Sequence, residues 1–150
     1  MARVTARVAG RALGIDLGSR RIGVALSDGS GVVATPHTVL RRGAEPAADH
    51  RAIVALAREL GAATIVVGLP LSLSGALGPA ARGVLAEVEA LRAVAGPEGI
   101  AVVVHDERLT TVTAQGALRE AGVKGPARRE VVDKVAAAVM LQSWLDAGRR

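Results

Sequence analysis

Asp16 sits inside an alternating run, Ala12 to Gly18, where an unpaired carboxylate is costly. On its own side it is flanked by Gly14 and Gly18. A second alternating run, Ile22 to Ser27, follows the short link Ser19-Arg20-Arg21, and an in-register hairpin would set Gly23 and Ala25 across from it. A metal ion and a phosphate could approach closely over such a floor of small residues. The other reading is a turn Asp, or an ion pair with Arg20 or Arg21. Asp106 and Glu107 follow the run Ile100 to His105, at a strand's carboxyl end, where open α/β sheets bind ligands. They could instead lead into a helix starting near Thr110 or Thr111 and favour its dipole. Asp133 lies about two turns into the last helix, with Ala136, Ala137 and Met140 on its face. The two alanines would let the helix lie close to the Gly/Ala floor and aim Asp133 at Asp16. Alternatively, Asp133 is a surface residue paired with Arg129 or Lys134. Carboxylates gathered within a few Å would repel and be driven to protonate. A hard divalent cation such as Mg²⁺ relieves that penalty. Two such ions roughly 3.5–4 Å apart can activate water and stabilise the leaving oxygen of a phosphodiester.

The elements that must carry these residues follow from periodicity. Leu13, Ile15 and Leu17 alternate with Gly14, Asp16 and Gly18, and Ile22, Val24 and Leu26 with Gly23, Ala25 and Ser27, which predicts two strands. Asp28-Gly29-Ser30-Gly31 is a turn, and Val32 to Leu40 is a third strand interrupted by Pro36. Ile53, Leu56 and Leu60 predict a helix over 47–60, stopped by Gly61. Ile65-Val66-Val67 is a buried strand. Pro79 opens a helix carrying Ala81, Val84, Leu85, Val88 and Leu91, which Gly96-Pro97-Glu98-Gly99 breaks. Ile100 to Val104, apolar on both faces, is an interior strand. A helix is expected over 111–121, and a last one over about 126–146, with Val132, Val135, Val139 and Leu145 towards a core. The order βββαβαβαα implies an α/β fold: a mixed sheet, antiparallel at the start and parallel at the finish, with helices on both faces.

Composition narrows the functions. The chain of 150 residues is one domain, with residues 1–10 a flexible segment, 11–147 the domain and 148–150 a tail. There is no Cys, which excludes disulfide scaffolds and thiolate chemistry. Phe and Tyr are absent and Trp144 is the single aromatic, which excludes single-strand binding on aromatic stacking platforms. Of the 19 basic residues 17 are Arg, against 14 acidic, a net +5 that makes nucleic acid the first partner to consider. A compositional Arg bias would give the same balance. His37, His50 and His105 show no ligand spacing, and no P-loop is present. Residues 61–81 are uncharged but hold four Gly and two Pro, so they read as a strand and a loop rather than a membrane span. Met1 to Gly10 lacks the apolar core of a secretory signal. A cytoplasmic protein, with no membrane contact, is expected.

The run Gly14-Ile15-Asp16-Leu17-Gly18 through Arg21-Ile22-Gly23-Val24-Ala25 to Ser27-Asp28 resembles the opening motif of the YqgF/RuvX family. Val67-Gly68-Leu69-Pro70, Asp106-Glu107-Arg108-Leu109-Thr110-Thr111 and Val132-Asp133-Lys134-Val135-Ala136-Ala137 with Leu141-Gln142 resemble its later motifs, in the same order. One departure is Leu71-Ser72-Leu73-Ser74-Gly75, where the family usually has a Met and an acidic or amide residue before the Gly. The resemblance implies an RNase H-like five-stranded mixed sheet. It implies a nuclease that trims the 5′ end of the small-subunit rRNA precursor; the same family is also described as a Holliday junction resolvase. By analogy, Asp16, Glu107 and Asp133 would be catalytic and hold Mg²⁺ or Mn²⁺, and Arg20, Arg21 and Arg108 would be the candidates to hold phosphates. The expected partners are then structured RNA, or four-way DNA, with the protein a monomer or homodimer. Two other classes stay open: a nucleic-acid-binding factor without catalysis, and an ATPase of the actin/sugar-kinase type, which would need a second lobe that 150 residues do not supply.

Overall fold

The computed structural model describes residues 10–71, 74–106 and 125–148, the last from Arg129 onward with side chains. Its strands are β1 (Arg11–Leu17), β2 (Arg21–Ser27), β3 (Ala34–Arg41), β4 (Ala62–Leu69) and β5 (Ala101–Asp106). Its described helices are α1 (Pro46–Glu59), α2 (Pro79–Ala95) and α3 (Gly125–Gly148), with a 3₁₀ turn at Gly96–Glu98. The strands form one sheet in the order β3-β2-β1-β4-β5. β1 pairs antiparallel with β2 and β2 with β3, whereas β1–β4 and β4–β5 are parallel. The mixed sheet read from the alternation is therefore the observed one. The helix expected over 111–121 lies outside the described residues, as do residues 1–9 and 149–150.

The third strand runs through Pro36 rather than stopping there. The pairing with β2 shifts between Val24 and Ala25, so Pro36 sits at a bulge on an edge strand, where its missing N–H breaks no ladder. Val32 and Val33, expected in the strand, precede it and are exposed. Within the uncharged stretch over 61–81, residues 62–69 are β4 and residues 79–81 open α2, and no described helix is long and apolar enough to cross a membrane.

The two sheet faces are packed unequally. One is aliphatic: Leu13, Ile15, Ile22, Val24, Ile65 and Val67 meet Ile53 and Val54 of α1 and Val84, Val88 and Leu91 of α2. The other is built of small residues. Ala12, Ala25 and Val66 meet Ala137, Ala138, Met140, Leu141 and Leu145 of α3. Of the residues expected to turn α3 towards a core, Leu145 is buried but Val132, Val135 and Val139 are half-buried. Ala136, Ala137, Ala138, Met140 and Leu141 are buried in their place. The small face wins because it permits a closer approach, and closeness multiplies the dispersion contacts along a whole helix.

Candidate active site

Asp16 is on the α3 side of β1, in direct register with Gly23 of β2, while Gly14 is opposite Ala25. The glycines are not open floor; α3 fills them. A Cβ on Gly23 would lie 2.0 Å from the Asp133 carbonyl oxygen, and one on Gly14 would lie 2.8 Å from Leu141 Cβ. The missing side chains are thus what lets the helix backbone settle on the hairpin, and that seat delivers Asp133. The two carboxylates are close enough to interact. Burial first, and the Asp133 charge second, push the Asp16 carboxyl up from 3.8 to about 6. Among the described residues no hydrogen-bond donor reaches the Asp16 carboxylate.

Asp133 is not an isolated helix-surface acid, nor is it paired with Arg129 or Lys134. Arg21 Nε donates to its Oδ2 at 2.5 Å, with both side chains largely covered. Arg21 therefore stands on a carboxylate in this structure, with its terminal guanidinium nitrogens still able to take a phosphate oxygen. Arg20 is exposed and forms no ion pair among the described residues. Glu107 and Arg108 lie outside the described residues; β5 ends at Asp106, in register with Leu69 of β4. Among the described residues no group of three acidic or His side chains is placed to hold a metal ion. The acid pair itself suits a hard cation: one carboxylate is half-buried without a donor among the described residues, beside a second, and both offer only oxygen.

A polar cluster that sequence reading missed braces the turn carrying Asp16 and Arg21. The Arg42 backbone N–H donates to Arg20 O at 2.9 Å, and Arg42 Nε donates to Gly18 O at 3.0 Å. The same guanidinium grips Glu87 with two bonds, 2.8 and 2.7 Å, and reaches Asp49 at 3.3 Å. His50 Nε2 lies 2.8 Å from Glu87 Oε1, and Asp49 accepts from the Gly43 N–H at 2.8 Å. The Arg42 bonds hold the Glu87 carboxyl below its ordinary value against the opposing effect of burial. The signal was present: Asp49 and His50 share the buried face of α1 with Ile53, Val54 and Ala57, and Glu87 lies between Val84 and Leu91.

Two other motif residues prove to be joints. Gln142 accepts from the Ala34 N–H at 2.9 Å and donates to Val32 O at 2.8 Å, tying α3 to the start of β3. Asp28 accepts from the Val32 and Val33 N–H groups, closing the turn after β2. His105 is a strand-end residue, as expected, with Nε2 2.9 Å from Ser143 Oγ of α3.

Comparison with known proteins follows the same architecture. A family model described as RuvX: Holliday junction resolvase matches residues 10–147. A protein from Mycobacterium sp. (strain KMS), provisionally named pre-16S rRNA nuclease, is 48% identical over 140 residues, covering 93% of this chain and 82% of its own. One from Mycobacterium tuberculosis (strain ATCC 25177 / H37Ra), with the same provisional name, is 46% identical over 138 residues, covering 91% and 79%. Among solved structures, T. thermophilus RuvC in complex with a Holliday junction substrate superposes with a TM-score of 0.52 at 18% identity, over 91% of this chain and 94% of that one. The yeast mitochondrial Holliday junction resolvase Ydc2 gives 0.55 at 14% identity, over 97% and 82%. At these identities the two structures speak for a shared RNase H-like fold.

Proposed function

The chain belongs to the RuvX family, and from that premise we propose that it is a metal-dependent endonuclease that hydrolyses phosphodiester bonds in structured RNA, in 5′-end processing of pre-16S rRNA. One observation carries the reading: Asp16, half-buried and without a donor among the described residues, meets Asp133 from the far end of the chain. A fold spends stability on such a pair where the pair has a job. Asp16 and Asp133, with Glu107 completing the set, would hold Mg²⁺ or Mn²⁺. When bound, such an ion activates water and offsets charge on the phosphate. Arg21 orients Asp133, and Arg20, Arg21 and Arg108 are the donors for substrate phosphates. Selectivity would come from shape and backbone contacts, because the chain has one aromatic side chain with which to stack on bases.

The family description favours a second reading, in which the same chemistry acts on four-way DNA. A resolvase must cut two strands symmetrically, so that reading expects a two-fold dimer. Cleavage of precursor rRNA and of junction DNA, side by side, with Mg²⁺ and with EDTA, separates the two. The proposal expects rRNA cleavage in Mg²⁺, none in EDTA, and none from Asp16→Asn, which should still bind. Junction cleavage alone would transfer the activity to DNA. Binding without cleavage of either substrate would leave a non-catalytic binding factor.

A further inference from the structure

We propose that the groove between β3 and α3 is a second binding site, one that holds the phosphodiester backbone of the substrate strand beyond the acidic pair. The inference rests on the nuclease reading and extends it, since it takes Asp16 and Asp133 as the cutting end. The groove encloses about 290 Å³ and is lined by His37, Thr38, Val39, Arg41, Glu130, Val131 and Lys134. Its place follows from register. Gly23 pairs with Asp16 on one side and with Val39 on the other, and the backbone of Asp133 and Lys134 lies over Gly23. Consecutive residues of α3 thus serve two places: Asp133 joins Arg21 near Asp16, and Lys134 lines the groove.

The electrostatics ask for an anion. Lys134 is half-buried and makes no ion pair among the described residues, because the neighbouring acid is already held by Arg21. Arg41 meets Glu130 at 3.8 Å, with both side chains largely in solvent, a contact of little worth that a phosphate would readily replace. Arg21 and Arg41 are cross-strand partners, about 5 Å apart at Cβ. One touches the acidic pair and the other lines the groove, so together they make a cationic step between the two. His37 adds a ring donor on the exposed edge strand. An acidic peptide would satisfy the cations too, but it would have no reason to continue to the carboxylates, whereas a strand cut at Asp16 must leave in some direction.

The test is a salt titration of binding, by fluorescence anisotropy in EDTA, on the full chain. The probes are a single-stranded RNA oligonucleotide and a four-way DNA junction. Each neutralised phosphate contributes about 0.7 to the slope of log K against log salt on single strands and about 0.9 on duplex DNA. The pair Arg41→Gln and Lys134→Gln is therefore expected to flatten the slope by about 1.4 on the RNA; a flattening of about 1.8 confined to the junction would assign the groove to DNA instead. Arg51→Gln with Arg82→Gln, on the opposite layer, should leave the slope unchanged. Arg41→Lys with Lys134→Arg should retain it, which separates lost charge from lost fold. Slopes that overlay the wild type on both probes overturn the proposal, as does a wild type that binds neither, or a synthetic poly-glutamate peptide that competes better than either probe. Normal cleavage with overlaid slopes would sink the groove alone. Flattened slopes with no cleavage by the wild type would sink the nuclease reading and leave the groove a nucleic-acid site.

Discussion

Asp16→Asn should make the metal-free protein more stable while ending its activity. The Asp16 carboxyl titrates at about 6 in the fold against an ordinary 3.8, and each pKa unit corresponds to 1.36 kcal/mol. At neutral pH the ionised side chain therefore costs the fold about 3 kcal/mol. The sign follows from linkage. The native state binds this proton more tightly than the unfolded state, so the favourable contribution is complete below about pH 3.8 and is lost as pH rises through about 6. An amide of the same shape cannot ionise and escapes the loss. Urea unfolding in EDTA should show the variant ahead by about 2–3 kcal/mol at pH 7.5, or roughly 5–10 °C in Tm. At pH 3.5 the two proteins should coincide. A variant that is equal or weaker at pH 7.5, or one whose gain persists at pH 3.5, would refute the claim that Asp16 is held ionised at the expense of the fold.

Divalent metal should close the gap between those stabilities. At 100 times its Kd, Mg²⁺ or Mn²⁺ adds about 2.7 kcal/mol to a protein that binds it only when folded; melting curves should show that rise for the wild type and none for Asp16→Asn. Gly23→Ala should cost about 3 kcal/mol or more in urea, since its Cβ would lie 2.0 Å from a backbone oxygen that cannot move alone. Gly61→Ala is the contrast: its φ of +71° penalises a side chain, but nothing lies within 4 Å, so about 1 kcal/mol is expected. Arg42→Ala should cost about 3–5 kcal/mol at pH 7 by stranding Glu87 and Asp49. Because Arg42 holds the Glu87 carboxyl below 4.5, that stability is present above 4.5 and lost as pH falls, so wild type and variant should converge in acid.

Strand direction was readable because β1 and β2 carry a strict two-residue alternation, a pattern with few competing explanations; the apolar run of β5 misled, since it predicted an interior strand, whereas β5 lies at the edge of the described sheet and only Val102 in it is buried. The approach of Asp133 to Asp16 was readable too, since Ala136 and Ala137 beside it have no purpose on an exposed face. The face of α3 was harder. Its valines and its alanines both recur at helical spacing, and hydrophobicity alone favours the valines. Which stripe is buried depends on how near the sheet can come, a property of Gly14 and Gly23 on another element. The Arg42 cluster was hidden for a similar reason. Each of Asp49, His50 and Glu87 looks like a surface residue by type, and only their position between buried aliphatics marks them. Arg21 could be assigned to a phosphate from its chemistry, but its bond to Asp133 required the register that brings β2 under α3.

These particulars change what the glycine-rich opening motif means physically. A floor of small residues under a carboxylate suggests room for a ligand, yet here the room is taken by a helix. The two uses are linked. Among the described residues, Asp16 has Gly23 as its cross-strand partner, which has no side chain to offer it a hydrogen bond. Asp133 cannot withdraw because its own backbone is seated on Gly23 and its carboxylate is held by Arg21. Arg21 is in turn part of the turn that Arg42 ties to α1 and α2. The repulsion between the acids is thus sustained by packing on one sheet face and by a buried ion network on the other. A substitution at either support should therefore bring the Asp16 titration part of the way back towards 3.8, because separating the acids removes the smaller contribution, that of Asp133, and leaves burial in place. Carboxyl NMR of Arg42→Lys, which keeps the charge but loses the two-pronged grip on Glu87, would show it. An Asp16 that still titrates near 6 in that variant would mean that α3 and the small-residue face hold the pair without help.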